Sequence, residues 1–147
     1  MTNRVHHIGI TVSDLETAIR FYASLSQGEV LGPYEKSGPA VEAATGYPGV
    51  VVRQAFVRFP DGETVIELLQ YRGGSGRSID PDNGHAGAAH PAIVVADMTA
   101  ALEAATANGG RAISEPKVAT EGPMEGCRYV YVIGPDRVRV ELVEPPA

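Results

Sequence analysis

Residues 7–21, "HIGITVSDLETAIRF", and residues 90–104, "HPAIVVADMTAALEA", carry one pattern twice. His7 aligns with His90, Ile10 with Ile93, Val12 with Val95 and Asp14 with Asp97, all at an offset of 83 residues. Leu15, Ala18 and Ile19 then match Met98, Ala101 and Leu102 at the same offset. Ungapped matches of this kind mark an internal duplication, which decides the architecture before any single motif does. Each copy begins with strand-like alternation and changes to helical spacing. Ser13, with Glu16 three residues on, reads as a capping box ahead of the apolar stripe Leu15, Ala18, Ile19 and Tyr22, and Gly28 reads as the stop. In the second copy Asp97 caps a stripe of Met98, Ala101, Leu102 and Ala105, ended by Gly109-Gly110.

The later strands repeat as well. Residues 50–59 and 63–71 flank Pro60-Asp61-Gly62 and read as a hairpin, and residues 127–134 and 137–144 flank Pro135-Asp136 in the same arrangement. Strands also fit 29–35 and 111–116. The expected fold class is therefore α+β, with two tandem βαβββ modules over residues 1–71 and 87–147. Between them, residues 72–86 are rich in Gly, Ser, Asp and Pro and read as a linker. Its "GGSGRS" (73–78) lacks the lysine of a phosphate loop. His85, in the same linker, is expected to be solvent-exposed and not catalytic.

Composition narrows the function classes. The 147 residues carry a net charge of −6, and ten of the twelve basic residues are arginines scattered along the chain. No basic cluster offers itself to nucleic-acid phosphates. Cys127 is the single cysteine, so neither an intrachain disulfide nor a thiolate zinc site can form. No apolar run reaches membrane-spanning length, and none at the start resembles a secretory leader. The expectation is a soluble cytoplasmic protein with a small-molecule partner and neither a nucleic-acid nor a membrane partner.

Glu67 in "VIELLQ" (65–70) and Glu141 in "VRVELVE" (138–144) hold the same place in the last strand of each module. A carboxylate inside a β-branched, apolar run is costly to bury unless it is hydrogen-bonded or bound to a cation. His6 and His7 are neighbours on a strand and so face opposite ways. Only His7 has a histidine at the constant offset, since the equivalent of His6 is Ala89. His7, Glu67, His90 and Glu141 thus form a coherent ligand set for a divalent metal such as Ni, Co, Zn, Mn or Fe(II). Four protein ligands on a six-coordinate ion leave two positions for water or substrate. His6 is read as a structural residue.

The paired "HHIGITVSDL…IELLQ" and "HPAIVVADM…VELVEP" resemble the vicinal oxygen chelate superfamily, over nearly the whole chain from Arg4 to about Glu144. That group includes glyoxalase I, methylmalonyl-CoA epimerase, extradiol dioxygenases, and fosfomycin and bleomycin resistance proteins. The resemblance implies two βαβββ modules whose curled mixed sheets enclose a cup, with helices outside and the metal at the base. It implies the same four ligands and, commonly, a homodimer. Pro91 departs from the pattern, since a branched apolar residue is common after the histidine. A proline there favours an edge or irregular position. The Pro135-Asp136-Arg137 turn also lacks the glycine often found in it.

With both histidine and both glutamate positions filled, the resemblance favours a metal-dependent lyase or isomerase that stabilises an enolate or enediolate. Glu141 ranks ahead of Glu67 as the base. The alternatives are an Fe(II) extradiol-type dioxygenase and a non-catalytic protein that binds a natural product or antibiotic. Loops 36–49 and 117–127 are expected to rim the cup, and Tyr34, Tyr47, Arg53, Met124 and Arg128 are candidate rim residues.

Overall fold

A computed structural model describes residues 3–73 and 76–146. Gly74 and Ser75, inside the Gly-rich run, lie outside the described residues. The chain divides at Ser78/Ile79 into two compact units. The first unit contains β1 (Ile8–Thr11), α1 (Leu15–Ser26), β2 (Glu29–Lys36), α2 (Pro39–Thr45), β3 (Val51–Arg58) and β4 (Val65–Arg72). The second contains β5 (Ala92–Val94), α3 (Met98–Ala107), β6 (Arg111–Ala112), β7 (Lys117–Val118), β8 (Arg128–Ile133) and β9 (Arg139–Glu144).

The two sheets repeat one topology. In the first the strand order is β1-β4-β3-β2; in the second it is β5-β9-β8-β6, with β7 also pairing β8. The opening strand of each unit lies at a sheet edge, parallel to the closing strand, and the other pairs are antiparallel. The class is α+β, as the duplication predicts.

Alternation along the strands divides each sheet into two faces. Ala55 and Val57 of β3, with Ile66 and Leu68 of β4, are buried on the face that α1 covers with Leu15, Ala18, Phe21, Tyr22 and Leu25. Phe21 and Leu15 are wholly buried, and each contributes roughly 1.5–3 kcal/mol by leaving water. In the second unit Val130, Val132, Val140 and Leu142 play the strand part and Met98 and Ala105 the helix part. The opposite faces hold the histidines and glutamates.

A second duplicated device fastens each helix start to its sheet. Arg53 of β3 donates to Gln70 of β4 at 3.1 Å, and Gln70 donates to the Ser13 carbonyl just ahead of α1 at 2.7 Å. In the other unit Arg128 donates to one oxygen of Glu144 at 2.7 Å, and the other oxygen accepts from the Met98 amide of α3 at 2.7 Å. Arg53 also forks onto both Glu16 oxygens, at 2.5 and 3.3 Å. Arg53 and Arg128 therefore serve structurally in this fastening.

Several local readings are corrected. Asp14, not Ser13, caps α1: its carboxylate accepts from the Thr17 amide at 2.7 Å while its own backbone stays extended. Glu16 is drawn to Arg53. Asp97 caps α3 as expected, accepting from Ala100 at 3.0 Å. Segment 36–49 is not only loop, since Pro39 starts the short helix α2 and Gly46 ends it in the left-handed region. The strand expected over 111–116 is shortened to β6 at its start, and β7 follows just beyond its expected end. The first unit is irregular at the matching place, with a register shift between Leu31 and Tyr34 around the cis Gly32–Pro33 bond. In the turn that lacks a glycine, Asp136 and Arg137 themselves adopt left-handed backbone (φ 53° and 65°).

Residues 79–86 hold to the second unit. Asp80 accepts from Arg137 at 3.3 Å, and Asp82 pairs with Arg139. His85 is exposed, as expected, with Nδ1 3.8 Å from Asp80. No helix of the described residues is long and apolar enough to cross a membrane.

Four exposed carboxyl groups sit below their ordinary range. The Thr17 amide lowers Asp14, Thr64 lowers Asp61, the Gly84 amide followed by Arg139 lowers Asp82, and Arg53 lowers Glu16. A group lowered on folding adds stability above its unfolded pKa, and this stability is lost as pH falls through the folded value. Unfolded carboxyls titrate near pH 4 (about 3.9 for Asp and 4.3 for Glu). The urea midpoint should therefore be flat with respect to these groups above about pH 5 and fall steadily below about pH 4. A midpoint that rose with acidification would contradict the carboxylate contacts.

Candidate metal centre

Each unit brings its first-strand histidine against its last-strand glutamate. His7 Nε2 lies 3.1 Å from Glu67 Oε2, and His90 Nε2 lies 3.4 Å from Glu141 Oε2. The cause is the parallel edge pairing. Gly9 is in register with Glu67 and Ala92 with Glu141, so the histidine two residues earlier shares the carboxylate's face. Pro91 leaves this geometry intact. It precedes β5, and its carbonyl accepts from the Glu141 amide at 3.0 Å, a bond that needs no proline N–H.

Burial makes the pairs unusual. The side chains of Glu67 and Glu141 are 15% and 11% exposed, and those of His7 and His90 are 37% and 32% exposed. Each pair sets an imidazole nitrogen and a carboxylate oxygen face to face. Such a pairing is satisfied by a shared proton or by a cation that takes both lone pairs. Two donors bound to one ion at about 2.1 Å each stand about 3 Å apart when adjacent. The observed separations match that spacing and equally that of a direct N–H···O contact, so the donor chemistry of each pair is compatible with a divalent ion. Among the described residues no group of three or more His, Cys, Asp or Glu side chains could hold a metal ion. The four sequence-derived ligands occur as two pairs, one in each unit.

His6 has a role that its chemistry foreshadows but its position hides. It precedes β1 and is exposed, and its Nδ1 stands 2.9 Å from His7 Nδ1 with the rings edge-on. One of these nitrogens carries the shared proton, which leaves His7 Nε2 directed at Glu67. Metal-binding imidazoles are commonly oriented through their second nitrogen in this way.

The second unit adds a hydroxyl. Tyr131 of β8 is in register with Glu141 of β9. Its ring stacks edge-on against His90 at a centroid distance of 5.2 Å, and its hydroxyl lies 3.5 Å from His90 Nε2. Burial, then the Glu141 charge and a hydrogen bond to that carboxylate, raise the Tyr131 phenol above its ordinary pKa. Beside this group a cavity of about 270 Å³ is lined by Val118, Thr120, Glu121, Met124, Tyr129 and Glu141. Met124 is thus placed beside a candidate ligand. Tyr34 is half-exposed on β2, and Tyr47 packs edge-on against Tyr71.

The model of the glyoxalase/bleomycin resistance protein/dioxygenase superfamily matches residues 6–131, which include both histidines and Glu67. The chain belongs to this superfamily. Within the superfamily, it is 34% identical to a 2-epi-5-epi-valiolone epimerase of an Actinomyces species, covering 97% of this chain and 80% of that protein. It is 28% identical to a lactoylglutathione lyase of Haemophilus influenzae, covering 96% of this chain and 92% of the relative. A glyoxalase family protein of Bacillus cereus shares the fold, with a TM-score of 0.81 over 100% of this chain and 97% of that one at 22% identity.

Proposed function

We propose that this chain is a divalent-metal-dependent lyase or isomerase that binds a small oxygenated substrate and stabilises an enolate or enediolate. The observation that carries the reading is the recurrence of one His–Glu pair in identical strand register in both units. The resemblance to an epimerase and to a lactoylglutathione lyase supports the same reaction class.

Within each unit, His7 with Glu67 and His90 with Glu141 are the donors that would hold an ion, which when bound supplies a Lewis acid for a carbonyl oxygen. The remaining work belongs to the chain. In each pair an imidazole nitrogen and a carboxylate oxygen would offset part of the ion's charge in a partly buried setting. One of the carboxylates, Glu141 or Glu67, removes the proton beside the substrate carbonyl and returns it. The low exposure of both keeps bulk water from competing for that proton. His6 keeps the His7 ring turned toward its partner.

The test uses purified protein prepared without chelators. Metal analysis should find a tightly held divalent ion, or tight uptake on adding Ni, Co, Zn, Mn or Fe(II). Proton NMR in heavy water should then show metal-dependent loss of the carbon-bound protons of dihydroxyacetone, a simple α-hydroxyketone. A protein that takes up none of these ions sinks the reading.

A further inference from the structure

Gln54 of β3 is a buried polar residue, only 5% exposed, set between Val52 and Phe56 on one face of the first sheet. An apolar side chain would be the cheaper occupant, because a buried amide that makes no hydrogen bond loses its hydration without compensation. Among the described residues no group bonds to the Gln54 side-chain amide, and its nitrogen and oxygen are not sealed from solvent, so a ligand can reach them. Strand register sets this amide on the face of the His7–Glu67 pair. Glu67 is opposite Phe56 and Leu69 is opposite Gln54, which makes Gln54 and Glu67 diagonal neighbours. Such neighbours stand roughly 7–8 Å apart, within reach of long side chains or of one small molecule held by both.

The duplication gives the same place a use. Gln54 stands two residues before Phe56, which faces Glu67, and Tyr129 stands two residues before Tyr131, which faces Glu141. Tyr129 and Glu141 both line the cavity of about 270 Å³, so this register position borders the space beside the glutamate. We propose that Gln54 is a substrate-binding residue of the first unit, its amide holding a hydroxyl next to the substrate carbonyl, on the reading above that this face meets a small oxygenated substrate. The chemistry of the group sets the ligand class. A primary amide offers both donors and an acceptor and carries no charge, which matches a neutral hydroxyl that donates and accepts in turn. It brings no positive charge for a carboxylate or phosphate, and the neighbouring Glu67 carboxylate repels either. The ligand is therefore an uncharged hydroxyketone.

The experiment follows the Gln54 side-chain amide by nitrogen–proton NMR, assigned through its own side-chain carbons, in metal-free and in Zn²⁺-loaded protein. Dihydroxyacetone is the probe and acetone, which lacks the hydroxyls, is the control. Dihydroxyacetone should shift the Gln54 amide resonance saturably, and acetone should leave it in place. Gln54→Met keeps the length of the side chain and removes the amide. It should hold its urea midpoint, because no bond within the fold is lost, and should bind dihydroxyacetone about 2- to 10-fold more weakly by saturation-transfer NMR, the worth of one hydrogen bond. A Gln54 resonance that moves at no dihydroxyacetone concentration, or moves as far with acetone, would overturn the assignment, as would wild-type affinity in Gln54→Met. The wild-type resonance gives this answer whatever the stability of the variant. Protein that takes up no Zn²⁺ would sink the metal-dependent reading alone, since the amide shift is read in metal-free protein as well.

Discussion

Replacing His7 or His90 by alanine should lower divalent-metal affinity by more than about 100-fold, and metal-dependent proton exchange should be lost with it. The bound comes from the size of lesser effects: partners that only orient a ligand are already worth about 10- to 100-fold. Either substitution removes a nitrogen donor and leaves a carboxylate that is no more than 15% exposed without its imidazole. Neither should unfold the protein, because both histidines lie ahead of the strands and outside the packed faces. His6→Ala supplies the internal comparison. His6 meets His7 through Nδ1 and an edge-on ring contact and is no donor of the pair, so its loss should weaken the metal by about tenfold. Chelator competition measures all three variants on one scale. If His6→Ala matched His7→Ala, the assignment of His7 as the ligand would be wrong.

The largest stability effect is expected at Gly28. A β-carbon built there would stand 1.9 Å from the Arg58 carbonyl oxygen at the end of β3, where backbone and not a flexible side chain is in the way. Gly28→Ala must force α1 or β3 aside and should destabilise the protein by about 3 kcal/mol or more, the upper part of the overpacking range. The residue before it gives the contrast. Gln27, not Gly28, takes the left-handed backbone at the end of α1 (φ 54°). Gln27→Gly should therefore be neutral or stabilising by up to about 1 kcal/mol, the gain in αL offset by the entropy of an added glycine. Urea unfolding of the two variants checks this opposition of sign. A Gly28→Ala protein as stable as the parent would show that the glycine serves only to stop the helix.

The topology and the two His–Glu pairings were legible because both are carried by position. A constant offset fixes which residues correspond, and alternation fixes which face they share, so His7 and His90 could be separated from His6 without coordinates. Choices between adjacent residues were harder. Ser13 and Asp14 can both cap a helix, and Asp14 wins because its extended backbone aims its carboxylate at Thr17. Signals for two misses were present. Pro33 and Pro116 stand at the same offset of 83 residues and mark where both third-element strands break, and Gly38-Pro39 announces α2. Arg53 and Arg128 were unreadable for a different reason, since an arginine declares its partner only once a sheet sets it beside Gln70 or Glu144. Tyr131 was hidden in the same way. Its equivalence to Phe56 depends on strand register, which a loop of different length displaces from the first offset.

The parallel pairing of opening and closing strands also governs the order in which the chain can assemble. In each unit the histidine stands just ahead of the first strand and the glutamate on the last, so the two meet only when the far ends of the unit close on each other. Such long-range closure is the slow, entropically late part of folding a sheet. On the metal-dependent reading proposed above, an ion would find no paired donors on a partly wound unit and would not nucleate it. Its binding would follow folding, as a lock on the finished unit that shifts the balance away from reopening.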